Sequence, residues 1–484
     1  GHSTRSSLRS LLARGKPPLR FMSINKKILL GGASLLLLQG IAVASFFVFS
    51  KDAIPQEQSA QDNIVQTVQP LIPEFSDSRE HIMLDRFTEV RNELVLRGGE
   101  FLEINFSQDK VFKYEKGEIA AEAPIWAKGD PQGWGGTPGG LYKVLSKDKL
   151  AFSGIAQVYM PYAVKFYGKY YLHGEPYHSW GEKTGSDVSG GCIQLEDDLA
   201  RKMYEAVEQG VPVLVVDKEN DGYEYSAAPS ANPPLVSAAS YLIADVDSGF
   251  VFAEKNSQDV LPIASLTKLM TALVVAENVD LRKSVEVTPE MLEAFGTTEG
   301  LEAGGRYRVV ELFYPLLVSS SNDAAEVVAG FLGRERTIQM MNEKANAMLM
   351  SDTAFVDPSG FDPGNVSNAH DLFYLARYIL NNRPPLFEIT RGKEVRSFGP
   401  VRFSREELWN KNVFVADSSF VGGKTGYLTA SKHTSIFLFQ FLTRENDLRT
   451  IAFVLLGSQA DKLDTQRLYA WLSRNYQISP NYSL

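Results

Sequence analysis

Cysteine and basic charge are both scarce in this sequence. Cys192 is the single cysteine among 484 residues, so an intramolecular disulfide and a cysteine-rich zinc module are both excluded. The chain carries 49 Lys and Arg against 58 Asp and Glu, a net charge of −9. A general nucleic-acid binder needs a basic face, so this charge argues against that function. The length predicts two or three domains, and a hydrophobic content of 44% is enough for ordinary cores.

The N-terminal segment combines the charge and the apolar run of a membrane anchor. Residues 1–27 contain seven Lys or Arg and no acidic residue, and residues 28–49 contain no charge. A helix of that length spans about 33 Å, close to one bilayer core, and a buried core helix would rarely run so far without a polar face. We therefore expect a single-pass, uncleaved anchor at 28–50 in the cytoplasmic membrane, with the N-terminus inside and the rest outside the cytoplasm. Residues 1–27 are then a basic cytoplasmic segment or a tag.

The remaining chain divides into four parts by composition and periodicity. Residues 51–92 predict a stalk, with a helix near its end at 79–96. Short aromatic and β-branched runs predict a mostly-β domain at 93–217, and the charged, then Ser-, Ala- and Pro-rich residues 218–235 predict a linker. Residues 236–484 predict an α/β domain rich in helices. The predicted elements lie at 101–106, 111–114 and 211–216 in the first domain, and at 241–245, 265–278, 323–332, 337–350, 370–381 and 451–456 in the second.

Cys192 lies in the glycine-rich turn Ser189-Gly190-Gly191-Cys192. A lone cysteine is most often a small buried hydrophobic residue, but an exposed thiol outside the cytoplasm is a liability unless it is used. Two glycines allow a tight turn in which successive N–H groups point at one spot, as an oxyanion hole for acyl transfer requires. His173, a short loop upstream, could deprotonate the thiol. His173 and His178 are not expected to bind a metal, because no third ligand has a suitable spacing.

This stretch resembles the L,D-transpeptidase catalytic domain of the YkuD-like family. That family's pattern is a histidine, a spacer, and then Ser/Thr-His-Gly-Cys followed by an apolar residue and Arg or Asn; here fifteen residues separate His173 from Ser189. Residues 137–140, Thr-Pro-Gly-Gly, match the family's second signal. The resemblance implies that Cys192 is the nucleophile and His173 its base. The residues that would bind substrate or hold the oxyanion through their N–H groups are Ser189, Gly190, Gly191 and Cys192 itself.

Two positions depart from the family pattern. Gly190 replaces the motif histidine, and Gln194 replaces Arg or Asn. A glycine still donates its backbone N–H, so the oxyanion hole survives, but an imidazole beside the thiolate is lost. A slower or differently selective enzyme and a degenerate, wall-binding domain both remain open.

The C-terminal domain contains three short boxes in a fixed order. Ser265 and Lys268 are spaced three residues apart and therefore face the same side of a helix, so a neutral lysine could take the serine proton if burial lowers its pKa. The boxes Ser320-Ser321-Asn322 and Lys424-Thr425-Gly426 follow. Each box alone has an ordinary interpretation, as a helix cap or a solvated charge. All three together in this order are specific.

The three boxes form the penicillin-binding signature, and the sequence around them resembles low-molecular-mass penicillin-binding proteins of the D-alanyl-D-alanine carboxypeptidase and endopeptidase family. The resemblance runs from about 237 to 476 and implies an α/β, β-lactamase-like domain with an antiparallel sheet and a helical subdomain. It implies that Ser265 is the acylated nucleophile and Lys268 the general base. Ser320 and Asn322 would relay protons and hold the substrate amide.

The same resemblance assigns the substrate-binding residues of the third box. Lys424 and Thr425 would bind the terminal carboxylate of the substrate, with Gly426 between them and the oxyanion hole. The N–H groups of Ser265 and Tyr427 would form that hole. No cofactor and no metal are expected.

Together, the two resemblances predict a membrane-anchored, bifunctional enzyme of peptidoglycan remodelling. Its partners would be peptidoglycan stem peptides, β-lactams as inhibitors, and the membrane through the N-terminal helix. Three alternatives remain open: a D,D-endopeptidase with a degenerate, wall-binding Cys192 domain, a non-enzymatic scaffolding protein, and a serine β-lactamase. The 355–371 stretch has no Glu of the kind that the main β-lactamase class uses for deacylation, which disfavours the last.

Overall fold

A computed structural model describes residues 83–482, except 186–187, 226–231, 295, 297–299 and 404–407. The predicted anchor at 28–50 and the segment before it lie outside these residues. None of the helices in the described part of the chain is both long and apolar enough to cross a bilayer. All described residues belong to one compact unit, in which two domains are built around separate sheets.

The first domain, which we name the Cys192 domain (101–216), contains a five-stranded sheet in the order β3-β2-β1-β11-β5 and a four-stranded sheet in the order β10-β8-β7-β6. A helix, α1 (Arg86–Leu96), precedes this domain, and α2 (Asp197–Ala206) lies within it. Its strands are β1 (Phe101–Asn105), β2 (Lys110–Glu115), β3 (Glu118–Pro124), β4 (Lys128–Gly129), β5 (Gly140–Lys143), β6 (Ser146–Ser153), β7 (Val158–Tyr167), β8 (Tyr170–His173), β9 (Val188–Ser189), β10 (Ile193–Gln194) and β11 (Pro212–Val216).

Two parallel pairings organise the Cys192 domain. The predicted hairpin of β1 and β2 is present and antiparallel, and β11 pairs with β1 in parallel, bringing the end of the domain back to the centre of its first sheet. In the second sheet, β10 runs parallel to β8, with Gln194 opposite His173. This second pairing brings the cysteine loop beside the strand that carries the histidine.

The second domain, which we name the Ser265 domain (240–480), has a central sheet in the order β13-β12-β20-β19-β18, with β21 beside β19. Its strands are β12 (Ser240–Asp245), β13 (Val251–Lys255), β14 (Leu261–Pro262), β15 (Ser284–Glu286), β16 (Arg306–Arg308), β17 (Val366–Ser367), β18 (Phe420–Leu428), β19 (Lys432–Leu442), β20 (Leu448–Ser458) and β21 (Ser479–Pro480). Its helices are α3 (Thr267–Asn278), α4 (Val309–Leu317), α5 (Asn322–Gly330), α6 (Arg334–Ala347), α7 (Ala369–Asn382), α8 (Pro385–Thr390) and α9 (Asp461–Asn475).

Alternate residues of the central strands belong to two cores on opposite faces of this sheet. Leu242 and Val454 face the helical core built around α3, whereas Ile243 and Phe453 face the aromatic core that includes α9. A strand buried on both sides presents successive side chains to opposite faces. The central strands are therefore apolar almost throughout, and the nucleophile helix α3 is enclosed by the sheet and other helices.

The predicted helices of this domain are present, with ends that differ from the prediction by at most three residues. Such shifts are normal, because caps decide the ends: Asn368 caps α7 by accepting from the Asp371 N–H at 2.8 Å. The predicted helix at 79–96 is observed as α1, starting at Arg86. Arg86 pairs with the buried Asp371 at 2.6 Å, so the end of the predicted stalk packs on the Ser265 domain.

The domains also touch through the predicted linker and one aromatic side chain. Glu219 pairs with Arg91 at 2.9 Å, and Asp221 pairs with Arg449. Trp134 of the Cys192 domain packs into the helical core, with its ring 5.9 Å from the ring of Phe313. The two domains therefore share a packed boundary in addition to their covalent connection.

Two candidate active sites

Ser265 lies in a 3₁₀ turn, Ala264–Leu266, that leads directly into α3. Ala264 has a φ of 49°, in the left-handed region that favours glycine, and its carbonyl accepts a hydrogen bond from the Thr267 hydroxyl at 2.8 Å. Gly360 packs so closely that a Cβ there would lie 1.9 Å from the Ala264 carbonyl oxygen. The turn is thus held between its own helix and a neighbouring loop, which presents Ser265 at the helix N-terminus.

The buried side chain of Lys268 contacts Ser265 from the next turn of α3. Its Nζ lies 3.0 Å from Ser265 Oγ, 2.7 Å from Asn322 Oδ1 and 2.6 Å from the Ser359 carbonyl oxygen. Burial lowers the pKa of Lys268 to about 7, against the opposing effect of nearby carboxylates. A large share of this lysine is then neutral near pH 7, and the neutral amine can accept the Ser265 proton.

The loop that supplies the Ser359 carbonyl is built around the Asp357 carboxylate. This carboxylate accepts hydrogen bonds of 2.6–2.8 Å from Ser359, Gly360, Asp362 and Asn365. Burial alone would raise the pKa of Asp357, but these hydrogen bonds outweigh it and the pKa is lowered. The ionised Asp357 therefore fixes the loop beside Lys268 and raises the pKa of that lysine.

Lys424 on β18 forms the other side of the site. Its Nζ donates to Ser320 Oγ at 2.8 Å and to the Thr425 carbonyl oxygen at 2.7 Å. Burial lowers the pKa of Lys424 well below its ordinary value, and the charges of Lys268 and Lys411 lower it further. A carboxylate bound beside Lys424 would favour its charged form again, which suits a residue that binds the terminal carboxylate of a peptide.

The rest of the third box lines the same edge of β18. A Cβ at Gly426 would lie 2.8 Å from the backbone nitrogen of Ser265, so only a glycine lets the strand pass this close to the nucleophile. The Thr425 hydroxyl donates to the Lys411 carbonyl oxygen at 3.3 Å, and the Tyr427 side chain is exposed. Contacts thus join Ser265, Lys268 and Asn322 on one side of the site and Ser320 and Lys424 on the other. The oxyanion role of Tyr427 and the carboxylate-binding role of Thr425 stay predictions.

His173 lies at the end of β8 and is buried. Its Nδ1 lies 2.6 Å from the Gly174 carbonyl oxygen, which can only accept, so Nδ1 carries the proton and Nε2 keeps its lone pair in the neutral ring. Burial lowers the pKa of His173 to about 4, opposed only by that hydrogen bond. The imidazole is therefore neutral at physiological pH and is a proton acceptor.

Cys192 is half-buried between β9 and β10, with its Sγ 3.9 Å from the Lys169 carbonyl oxygen. Burial raises the pKa of the thiol to about 11, against a hydrogen bond from the Tyr171 backbone and the charge of Lys169. The thiol is then protonated near pH 7 and needs a base. Among the hydrogen bonds of the described residues, none joins Cys192 directly to His173, although their strands are adjacent.

The glycines of the cysteine loop differ in their surroundings. Gly191 has a φ of 112°, and a Cβ there would lie 2.3 Å from a ring carbon of Tyr170. Its N–H donates to Ser189 Oγ at 3.1 Å, so an oxyanion at this position would have to compete with that hydroxyl, and the predicted oxyanion role of Gly191 stays a prediction. A Cβ at Gly190 would meet nothing within 4 Å, so space for the missing motif histidine exists. The oxyanion roles of Gly190 and Cys192 stay predictions.

Comparison with known proteins identifies both domains. The family model for D-alanyl-D-alanine carboxypeptidases matches residues 227–459, and that for the L,D-transpeptidase catalytic domain matches residues 99–215. The D-alanyl-D-alanine carboxypeptidase DacB2 of Mycobacterium tuberculosis is 32% identical over 41% of this chain and 69% of its own length. A D-alanyl-D-alanine endopeptidase of Haemophilus influenzae is 33% identical over 43% of this chain and 72% of its own length.

The chain belongs to the D-alanyl-D-alanine carboxypeptidase family. A third relative of this carboxypeptidase-family enzyme, DacD of Escherichia coli, is 29% identical over 51% of this chain. The chain spans about two thirds of the length of these relatives, 66% for DacD. Both resemblances drawn from the sequence, to the serine family and to the L,D-transpeptidase catalytic domain, are confirmed.

Two contributions to the sites of this carboxypeptidase-family enzyme were missed by sequence reasoning. Asp357 and Ser359 lie in the 355–371 stretch, which the sequence singled out only for its lack of a Glu, because a carboxylate that holds a loop and a carbonyl that faces a lysine have no local sequence signal. Lys169 and Tyr170, which adjoin Cys192, had no signal either, since the pairing of β8 with β10 is what brings them near. All four residues reach their site through contacts between segments that are distant in the sequence.

Proposed function

We propose that this protein is a membrane-anchored, bifunctional enzyme that trims and cross-links peptidoglycan stem peptides. The observation that carries the proposal is the 3.0 Å contact between Lys268 Nζ and Ser265 Oγ, made by a lysine whose pKa is lowered to about 7. That pair is a nucleophile and a base within proton-transfer distance. Residues 28–50 would anchor the enzyme, with both domains on the outer side of the cytoplasmic membrane.

The Ser265 domain would act as a D,D-carboxypeptidase. Neutral Lys268 removes the Ser265 proton as Oγ attacks the carbonyl carbon between the two terminal D-alanines of a pentapeptide stem. The C–N bond breaks, the departing amine of D-alanine takes the proton, and an ester to Ser265 remains. Water then hydrolyses the ester, which restores the serine and releases a tetrapeptide. Lys424 would hold the terminal carboxylate until the D-alanine that carries it departs.

The Cys192 domain would act on that tetrapeptide. The Nε2 of His173 takes the thiol proton as Cys192 Sγ attacks the carbonyl carbon of the third stem residue, and the terminal D-alanine leaves with that proton. An amine of a neighbouring stem then attacks the thioester, forming an amide cross-link and freeing the thiol. The product of the first site is thus the substrate of the second, and joining the two sites in one chain raises their effective concentration.

A second activity of the serine site is favoured by the relatives named D-alanyl-D-alanine endopeptidase, one of them 33% identical. In that reaction the leaving amine belongs to another stem peptide, while the serine chemistry is unchanged. Comparing kcat/KM for a purified cross-linked dimer with kcat/KM for the pentapeptide distinguishes the two activities. A higher value for the dimer would make cross-link cleavage the main reaction.

The test of the proposed function is product analysis by mass spectrometry with isolated pentapeptide stems. The full-length protein should convert pentapeptide into tetrapeptide and then into cross-linked dimers. Ser265→Ala should leave pentapeptide untouched, and Cys192→Ala should stop at free tetrapeptide. If the wild-type protein alters no stem peptide, the proposal is wrong.

A further inference from the structure

A buried polar cluster lies where the two domains meet. It combines three tyrosines of the Cys192 domain with one carboxylate, two cations and one tyrosine of the Ser265 domain, and every member is at least nine-tenths buried. We name it the seam cluster, and its members are Tyr142, Tyr167, Tyr170, Glu277, Lys344, Tyr378 and Arg383.

The three charged members of the seam cluster all belong to the Ser265 domain, and tyrosines of the Cys192 domain contact two of them. Glu277 lies 3.1 Å from Lys344 and 3.7 Å from Arg383. Lys344 also donates to the Tyr142 hydroxyl at 2.9 Å and to the Tyr378 hydroxyl at 2.8 Å. Glu277 is the one carboxylate of this set, so removing it would leave buried cations uncompensated. The hydrogen bond from Lys344 to Tyr142 joins the set to the Cys192 domain.

Tyr170 connects this cluster to the cysteine loop. Its hydroxyl accepts a hydrogen bond from Arg383 at 3.0 Å and donates to the Glu277 carbonyl oxygen at 3.0 Å. One side of its ring, formed by Cδ1 and Cε1, lies against Gly191, where a Cβ would be 2.3 Å from Cε1. The residue before Tyr170 provides the carbonyl oxygen that lies 3.9 Å from Cys192 Sγ. One side chain thus contacts the Ser265 domain through its hydroxyl and the cysteine loop through one side of its ring.

The contact point in the Ser265 domain is the end of the nucleophile helix. Lys268 lies in the first turn of α3 and Glu277 in the last. At 1.5 Å per residue, the twelve residues of α3 span about 18 Å. This buried helix therefore carries the serine site at its N-terminus and supports the cysteine site at its C-terminus.

We propose that Tyr170 is a positioning residue for Cys192, and that Arg383 and Glu277 of the Ser265 domain set the cysteine loop by holding the Tyr170 hydroxyl. The Cys192 site is then completed by the neighbouring domain. This inference rests on the proposed function of Cys192 as a nucleophile. Its physical basis is that Gly191 packs against the Cδ1 and Cε1 side of the Tyr170 ring, and the two hydrogen bonds to the hydroxyl fix the position of that ring.

The test compares Tyr170→Phe, Arg383→Gln and the double variant in the full-length protein. Tyr170→Phe keeps the ring and removes only the hydroxyl. Two rates are measured at Cys192: alkylation by iodoacetamide at pH 8 and acylation by a carbapenem. Acylation of Ser265 by benzylpenicillin reports whether each variant is folded. Tyr225→Phe is the matched control, since Tyr225 is a buried tyrosine whose hydroxyl donates to Asp245 in the aromatic core.

We expect the two cysteine rates to move in opposite directions. Release of the loop exposes the thiol and lets its pKa fall toward the ordinary range, so alkylation becomes about tenfold faster, equivalent to one pH unit. Carbapenem acylation, which needs the loop geometry, becomes about tenfold slower. The double variant should match the stronger single variant, because both act through one hydroxyl. Ser265 acylation should stay within twofold of wild type, and Tyr225→Phe should change none of the rates.

Unchanged alkylation in Tyr170→Phe, or effects of the two substitutions that multiply, would overturn the inference. If Arg383→Gln also abolishes Ser265 acylation, that variant is unfolded. The two Cys192 rates of Tyr170→Phe then test the inference alone. A wild-type Cys192 that no carbapenem acylates would remove the proposed transpeptidase function. In that case, the alkylation rates of Tyr170→Phe would still decide whether Tyr170 positions the thiol.

Discussion

At the scale of single residues, the protonation state of Lys268 controls whether Ser265 can react. Its Nζ is buried against Ser265 Oγ, Asn322 Oδ1 and a carbonyl oxygen, and burial is the main reason that its pKa falls to about 7. An ordinary exposed lysine would be charged and unable to accept a proton at neutral pH. Burial therefore lets this lysine accept a proton near neutral pH, as its proposed role of general base requires.

The pH dependence of Ser265 acylation follows directly. Because the neutral amine is the base, acylation by benzylpenicillin should increase as pH rises through about 7 and then reach a plateau. Lys268→Met should lower the rate about 10²- to 10⁴-fold and remove this dependence. Stopped-flow measurement from pH 5 to 9 checks it. A flat wild-type profile would show that Lys268 is not the base.

The two glycines of the cysteine loop should respond differently to alanine. At Gly190 a Cβ has open space, whereas at Gly191 it meets the Tyr170 ring in a left-handed backbone conformation. We expect Gly190→Ala to be nearly neutral and Gly191→Ala to cost about 1–3 kcal/mol of folding free energy and to slow carbapenem acylation of Cys192. Denaturant unfolding and acylation rates measure both effects. Equal effects of the two substitutions would contradict the geometry of this loop.

At the scale of elements, the loop around Asp357 is as much a part of the serine site as the helix that carries the nucleophile. Its carboxylate orders the Ser359 carbonyl beside Lys268 and raises the pKa of that lysine. The helix carries Lys268 and follows directly after Ser265, and the loop raises the pKa of Lys268. Neither element alone would give a lysine poised near pH 7.

Replacement of the Asp357 carboxylate should therefore shift the pH profile of the serine site. Asp357→Asn removes a negative charge that raises the pKa of Lys268, so the midpoint of Ser265 acylation should move to lower pH than in wild type. The protein should also unfold more easily, because one buried oxygen acceptor is replaced by a donor. Asp362→Asn, an exposed carboxylate of the same loop, is the control. A midpoint that moves upward, or equally in both variants, would contradict the assigned role.

Local patterns were enough to predict many elements but not how distant ones pair. The helical run that became α3 and the hairpin of β1 and β2 were predictable, because periodicity and turn residues lie within a few positions of each other. The parallel pairing of β11 with β1 was not, because a contact between strands separated by about 100 residues leaves no local signal. The three boxes of the serine site could be recognised in the sequence for a related reason, since each is short and continuous.

At the scale of the whole molecule, the two domains are packed together more firmly than a linker between independent modules requires. The first residues after the Cys192 domain are held by ion pairs, as with Glu219 and Arg91, and the seam cluster buries three charges between the domains. The sequence suggested only a linker between the domains. A Ser-, Ala- and Pro-rich composition can be recognised in a sequence, whereas a packed boundary between two domains cannot. The boundary is assembled from residues scattered between 142 and 383.

The central claim is that one chain carries two reactive nucleophiles, Ser265 and Cys192. The most direct measurement is intact-protein mass spectrometry of the full-length protein after incubation with benzylpenicillin and, separately, with a carbapenem, using Ser265→Ala and Cys192→Ala as controls. The account predicts one stable adduct that Ser265→Ala abolishes and a second, formed with the carbapenem, that Cys192→Ala abolishes. Adducts that persist in both variants, or a wild-type protein that forms none, would contradict it.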